Sequence, residues 1–482
     1  MSGPSPLVAT PPPTVGSERR RLFGGAGRLR LRVPAKLRNL ELLLLIFAVA
    51  IMAAAVLLVQ LGALGAVDAS FFPFVGGLAL LAVVMHVVLR VVASEADPFI
   101  LPIATLLNGI GIAMIYRIDI AQHRLGWQSS GIRQMVWTAI AMVVALIVLV
   151  VIRNHRVLQR YRYIAMFVGI GLLLLPLIPG VGLQINGARA WIGIGARRAD
   201  GTVPLSFQPG ELAKIALAVF FAGYLVTARD SLSLVGRRFL GIRFPRVRDL
   251  GPILVIWLAA MAVLVLQRDL GISLLYFGLF LVMIYVATGR LSWVILGMTL
   301  FVGGAVAASQ LLGYVANRFG AWLDAFNNDI YHRVGGSYQL VQGIFGMSGG
   351  GLTGSGLGLG SPNIVPFAAS DFIVASLGEE LGLTGLFAIL ALFLLFVSRG
   401  FRIAFAGQDD FGRLLGVGLA FIIALQVFIV IGGITRVIPL TGLTTPFMAA
   451  GGSSLVANWI IVALLLRLSD TVRAQPRIVV ES

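Results

Sequence analysis

The chain contains no cysteine, which excludes disulfides and thiol metal sites. It has two lysines, Lys36 and Lys214, against 35 arginines, so arginine replaces lysine almost everywhere a bare positive charge would serve. Only 12% of its 482 residues are charged and 58% are hydrophobic, a balance foreign to a soluble globular domain of this size. The glycine run from Gly346 to Gly360 lacks a GK[ST] ending and a preceding strand, so it is not a phosphate loop. Those glycines instead suit an irregular, tightly packed loop.

What remains is apolar runs. About 20 apolar residues span the hydrocarbon of a bilayer. By that rule the chain is an all-α polytopic membrane protein with twelve candidate helices, near residues 40–61, 71–94, 98–117, 132–152, 162–180, 210–228, 250–266, 270–288, 291–313, 373–398, 413–434 and 446–468. An apolar run as long as the first, followed by a second, reads as a retained anchor and not a cleaved signal.

Arginine marks orientation, because short cytoplasmic loops accumulate Lys and Arg. The tail before the first helix carries Arg19, Arg20, Arg21, Arg28, Arg30, Arg32, Lys36 and Arg38, and alternation places the basic loops 153–162 and 229–249 on the same side. Both termini are therefore expected in the cytoplasm. The net charge of +17 is then an inner-face signature, and without a basic soluble domain there is no nucleic-acid partner. Residues 1–38, with PSP, PPP and GGAG, read as a disordered basic tail on anionic lipid, and 469–482 as a second cytoplasmic tail.

With this topology two long segments face outward, about 181–209 and 314–372, and long polar loops on one face of a bundle are where binding and chemistry tend to sit. Placing an ionisable side chain at mid-bilayer costs at least ~2.5 kcal/mol, so charges inside apolar runs invite a functional reading. Asp269, in LVLQRDLGISLLYF, falls at the outer junction of two helices. Its bland alternative is a salt bridge to Arg268 or Arg189. Lys214 lies one turn into a helix with Glu211 three residues earlier; it either snorkels to headgroups or offers a compact ammonium to an anionic ligand. In SDFIVASLGEELG, Asp371 is expected at the outer surface, with Glu379 and Glu380 about 12 to 13 Å deeper. The adjacent glutamates point apart, so capping a broken helix or pairing with an arginine across the bundle is the expected role. RVIPLTGLTTPFMAAGGSS, residues 436–454, suggests a broken entry into the last helix.

NGARAWIGIG, SFQPGELAK, QRDLG, the YQ and GxGLG stretch, SDFIVASLGEELG and PLTGLTTPF with GGSS follow one another in this order. Together they resemble the shape, elongation, division and sporulation family of RodA and FtsW, over about residues 98–468, with the PLTGLTTPF block closer to the RodA branch. The resemblance implies a ten-helix core, with the two helices in 39–97 added to it. It implies a peptidoglycan glycosyltransferase that polymerises lipid II at the outer face of the bacterial plasma membrane beside a class B penicillin-binding protein. Asp269 matches the family's proposed catalytic aspartate, Arg189 and Trp191 its NGAxxW motif, and Glu211 and Lys214 its QPSExxK motif. Asp371, Glu379 and Glu380 match HTDFIFxxxGEELG. Gly210 stands where the family has serine, and Phe367 and Ala369 stand at its glutamate and histidine, so a mechanism requiring those last two would not apply here. A divalent cation, magnesium or manganese, on Asp269 or Asp371 is compatible with the chemistry. A lipid flippase and a scaffold for the penicillin-binding protein are the competing readings. The first would favour inverted repeats, none of which is evident, and the second would leave Asp269 and Lys214 dispensable.

Overall fold

The computed structural model describes residues 29–32, 37–124, 126–185, 187–194, 205–233, 238–239, 242–243, 258, 262, 265–474 and 477–480. Ten helices among the described residues are long and apolar enough to cross a membrane. They are α1 (Arg38–Leu64), α2 (Phe71–Val92), α3 (Ile100–Ala121), α4 (Ser130–Val151), α6 (Pro209–Ser233), α7 (Leu270–Thr288), α8 (Leu291–Leu311), α11 (Ile373–Ala406), α12 (Asp410–Ile434) and α13 (Gly452–Arg473). Three shorter helices complete the set used below: α5 (Arg162–Leu174), α9 (Gly313–Leu323) and α10 (Tyr338–Gly350).

The expected and observed helices differ in several of their ends: Ile373–Ala406 runs eight residues past its expected end at 398, and two others change where the backbone turns irregular. The span expected over 162–180 tightens into a 3-10 turn at Leu175–Leu177, where Pro176 cannot donate to a helical ladder. The last helix begins at Gly452, because Thr444 to Gly451, with Pro446, form an irregular entry. The span expected over 250–266 falls mostly outside the described residues, as do most of the basic tail and the loop 229–249.

Side-chain caps fix where several helices begin. Ser129 accepts from the Ile132 amide, Asp269 from Ile272 and Asp409 from Gly412, each satisfying a donor the helix leaves open. Helix α3 is almost wholly enclosed, and α6, α12 and α13 form the rest of the centre. The main packed pairs are α1 with α3, α4 with α13, α5 with α6, and α11 with α12. Helix α8 buries little beyond Ser292, Trp293 and Gly297, so its apolar side chains face lipid. Residues Leu29–Arg32 pair antiparallel with Arg477–Val480, which brings the two tails side by side.

Two features shape the long segment between α8 and α11. Helix α9 is too short to span and carries Arg318. Helix α11 is broken at Gly382, whose φ of +68° and ψ of −171° suit glycine alone among residues, so Ile373–Leu381 forms a separate stub. Glu380 on that stub takes Arg117 Nε at 2.8 Å and the Gly358 amide at 2.9 Å, and Arg117 Nη2 donates to the Gly360 carbonyl at 2.7 Å. Glu379 accepts from the Ser361 amide at 2.7 Å, and its carbonyl takes the Ser355 amide at 2.9 Å. The glutamates thus tie the glycine-rich loop to the stub, and the arginine reaching across the bundle is Arg117.

Leaving a buried guanidinium unpaired costs about 3 kcal/mol or more. Glu380→Ala is therefore expected to lower stability by about that amount, with Arg117→Met in the same chain recovering part of the loss. Thermal unfolding in detergent checks this; a Glu380→Ala protein as stable as wild type would contradict it.

Candidate active site

Four chain segments begin at one end of the bundle and meet there. Pro209 opens α6, suited to a first turn that needs no amide donor. Just before it, the Gln208 amide donates to Ser453 Oγ at 2.7 Å, which joins the start of α6 to the start of α13. The Gln208 side chain donates through Nε2 to Asp269 Oδ2 at 3.0 Å. Asp269 Oδ1 takes the Ile272 amide at 3.0 Å, so the carboxylate is the N-cap of α7 and is held from both sides. Arg268 before it sits at φ +60°, a left-handed conformation costly for a residue with a side chain, and its guanidinium lies 5.8 Å from the Tyr314 ring centroid.

Asp371 is the second carboxylate at this end of the bundle. It is partly exposed, as is Asp269, and close enough for the charge of Asp269 to act on it. Burial is the first cause that lifts both above the ordinary carboxylate range, Asp269 to about 6 and Asp371 to about 7. Arg318 opposes the shift in both, and Asp269 adds to it in Asp371. Arg318 is itself fixed by a 2.7 Å bond from Nη1 to the Leu440 carbonyl. The segment around Leu440 forms the wall between the two acids: Leu443 and Thr441 pack on Gly271, and Gly442 lies beside Asp371. Among the described residues Asp269 makes no salt bridge with Arg268 or Arg189, and its cationic neighbour is Arg318.

Lys214 is placed differently from an ammonium offered to an outer ligand. It is 1% exposed, and Nζ donates to Glu211 at 2.7 Å, Gln426 at 2.9 Å and Asn458 at 3.3 Å. An ammonium has three donors, and all three are engaged. Gln426 Nε2 in turn donates to the Thr444 carbonyl at 2.8 Å, so the lysine cluster supports the irregular entry to α13 from below. Tyr276 on α7 donates to the Gly210 carbonyl at 2.7 Å, a further tie between the starts of α6 and α7. Glu211 still adds negative potential at Asp269.

Arg189 and Trp191 lie on a hairpin of Gly182–Ile185 and Ala188–Ile194, with Leu183 opposite Trp191. Arg189 is exposed and Trp191 partly buried, and the hairpin rests on the start of α6. The structure thus gathers Asp269, Asp371 and Glu211 at one end of the bundle with Lys214 buried behind Glu211, while Arg189 is exposed on the hairpin and, among the described residues, makes no ion pair with them. Glu379 and Glu380 belong to the loop tie.

Reading residues alone misses Arg318, Gln208, Gln426 and Asn458. Gln426 and Asn458 carry a signal, each being a polar group inside an apolar run, as in ALQVF and ANWI. Arg318 carries none beyond its charge, because arginine is common in this chain and its charge acts on acids about 50 residues away in sequence on either side. No three His, Cys, Asp or Glu side chains converge among the described residues. The donor set of Asp269 and Asp371 suits a hydrated ion of the magnesium kind, which takes one or two carboxylates and completes its shell with water and substrate phosphate.

The profile of FtsW, RodA and SpoVE, described as "Cell cycle protein", matches residues 98–474. The Mycobacterium tuberculosis protein named peptidoglycan glycosyltransferase RodA is 44% identical over 441 residues, 90% of this chain and 91% of that one. Stage V sporulation protein E of Bacillus subtilis is 32% identical over 385 residues, covering 78% of this chain and 97% of its own. A solved structure described as "Structural coordination of polymerization and crosslinking by a peptidoglycan synthase complex" aligns with a TM-score of 0.60 at 25% identity, over 78% of this chain and 98% of that one. A variant of Thermus thermophilus RodA shares the fold, with a TM-score of 0.52 at 23% identity over 78% of this chain and 97% of its own. The chain belongs to the FtsW, RodA and SpoVE family.

Proposed function

We propose that Asp269 is the general base of a peptidoglycan glycosyltransferase that joins lipid II units in the crevice between α6, α7 and the α11 stub. The chain shares the glycosyltransferase activity of its 44% identical relatives, and that identity against 29% to 34% for proteins named FtsW favours cell elongation over division. The observation that carries the reading is the placement of Asp269, a partly exposed carboxylate held by Gln208 and its own helix cap beside Arg318 and Asp371.

Glycan extension requires the acceptor 4-hydroxyl to lose a proton as it attacks the donor sugar, and the pyrophosphate to leave. Asp269 Oδ2 keeps a lone pair beyond its bond to Gln208, and a pKa lifted to about 6 makes it a stronger base than a free aspartate while leaving it ionised near neutrality. Attack in one displacement inverts the donor carbon and gives a β linkage. Arg318, whose charge acts on both acids, and the exposed Arg189 would supply positive charge for the pyrophosphate oxygens. A divalent cation, when bound by Asp269 and Asp371, would supply further charge neutralisation there. Lys214 acts from behind, by holding Glu211 and the approach to α13 in place.

The crevice end is the outer face and both tails are cytoplasmic. The arginine distribution supports this, as does the pairing of the two tails. The chain works with a class B penicillin-binding protein, a reading supported by its similarity to a component of a complex said to coordinate polymerisation and crosslinking.

Asp269→Asn keeps the helix cap and removes the base, so polymerisation of lipid II by the purified protein is expected to fall ~100-fold or more. A product assay showing full-rate glycan would refute the role. The acid limb of the rate profile belongs to the carboxylate pair, with apparent values of about 6 and about 7. Arg318→Gln removes the charge that lowers both and should move that limb to higher pH; an unmoved limb would show that Arg318 does not face the acids. Stability has the opposite sign. Both folded values lie above the ordinary carboxylate value of about 3.9, so the folded chain binds more protons and loses stability as pH rises from about 4 to 7. Asp371→Asn is therefore expected to raise the unfolding temperature at pH 8 and not at pH 4, as read by thermal unfolding in detergent.

A further inference from the structure

The family match begins at residue 98 and leaves α1 and α2 outside it. We propose that this helix pair positions the catalytic crevice: α1, through Gly62, holds the glycine-rich loop that fixes the stub next to Asp371. The proposal rests on the reading of Asp371 as a member of the crevice.

The contact at Gly62 is between backbones. A Cβ added there would meet the Leu357 carbonyl oxygen at 2.5 Å and Gly358 Cα at 3.1 Å. From the other side, a Cβ on Gly358 would meet Ala63 N, Gly62 Cα and Val59 O, each at 2.9 Å. Gly62 lies inside α1 and is not among the residues of positive φ, so helix geometry does not call for glycine there. Glycine is a poor helix former, and the close approach of the loop is what gives it a purpose. The neighbouring Leu357 side chain packs against a small apolar core built by α1, α2 and α3, which includes Met52, Phe74 and Ile112.

From that anchor the connection to the crevice is short. Gly358 donates to Glu380 at 2.9 Å, Arg117 bridges Glu380 and Gly360, and Glu379 takes the Ser361 amide at 2.7 Å. Both glutamates sit on the stub Ile373–Leu381, which the break at Gly382 separates from the rest of α11. Asp371 precedes the stub by two residues. A loop displaced from α1 therefore moves the stub, and Asp371 with it, while the remainder of α11 stays packed on α12.

The absence of cysteine makes a single introduced thiol unique, and Leu359, 65% exposed on the loop, is the place for it. Full-length protein carrying Leu359→Cys would be reconstituted in liposomes with and without Gly62→Ala. Alanine is the better helix former, so a loss traces to the contact and not to α1 itself. Gly62→Leu enlarges the intrusion, and Gly76→Leu on α2, where an added Cβ meets nothing within 4 Å, is the control. The expected result is faster labelling of residue 359 by a membrane-impermeant maleimide and a drop in kcat for lipid II of about tenfold, with KM within about twofold, because reacting groups are misplaced rather than substrate lost. Gly76→Leu should change neither. Unchanged labelling in Gly62→Ala, faster labelling with unchanged kcat, or a loss confined to KM would each overturn the proposal. Should Gly62→Leu fail to fold, Gly62→Ala decides alone. An Asp371→Asn protein that polymerises at full rate would remove Asp371 from the crevice chemistry, while labelling would still report whether α1 holds the loop.

Discussion

Charge in an apolar bundle must find a partner, and this requirement organises the protein. Desolvating a carboxylate or an ammonium is repaid only by close, hydrogen-bonded counterparts, since the low dielectric that strengthens a pair penalises an orphan. Glu380 has Arg117 and the Gly358 amide, and Lys214 has Glu211, Gln426 and Asn458. Asp269 and Asp371 are the exception, two partly exposed acids opposed by the single guanidinium of Arg318. Burial against that one charge raises both above the ordinary carboxylate range, the property the proposed base draws on.

The saturated charges and the unsaturated ones do different work. Lys214 and its amides hold the starts of α6 and α13 beneath the crevice, and the Glu380 tie holds the α11 stub at its side. Gln208 joins the two levels, with its backbone bonded to Ser453 and its side chain to Asp269. This end of the bundle is assembled from helix ends and broken segments at Gly382 and before Gly452, where backbone irregularity is tolerated because neighbouring elements satisfy it.

Much of this was legible beforehand where chemistry and composition coincide. A carboxylate in QRDLG, paired charges in GELAK and GEELG, and the prolines before the last helix all stand out from an apolar background, and each lies at a structural junction. The lysine was legible as unusual but not in its direction. Its rarity suggested a ligand-facing cation, whereas the contacts that enclose it come from Gln426 and Asn458, more than 200 residues away. Arg318 was hidden for a related reason, since its charge reaches the two acids only in the folded chain, where its guanidinium is fixed on the Leu440 carbonyl. The shortened α5 and the late start of α13 show the limit of counting apolar residues, because proline and local hydrogen bonding move a helix end without changing hydropathy.

The central claim is that a carboxylate at position 269, open to the outer aqueous face, takes the acceptor proton. Because the chain has no cysteine, Asp269→Cys followed by a membrane-impermeant methanethiosulfonate bearing a carboxylate restores an acid at that one site through a mixed disulfide. The account predicts an inactive cysteine protein that regains part of its glycan synthesis when the acidic reagent is applied from outside, and none with a neutral hydroxyl reagent of similar size. Equal recovery with the neutral reagent, or full activity of the unmodified cysteine protein, would contradict it.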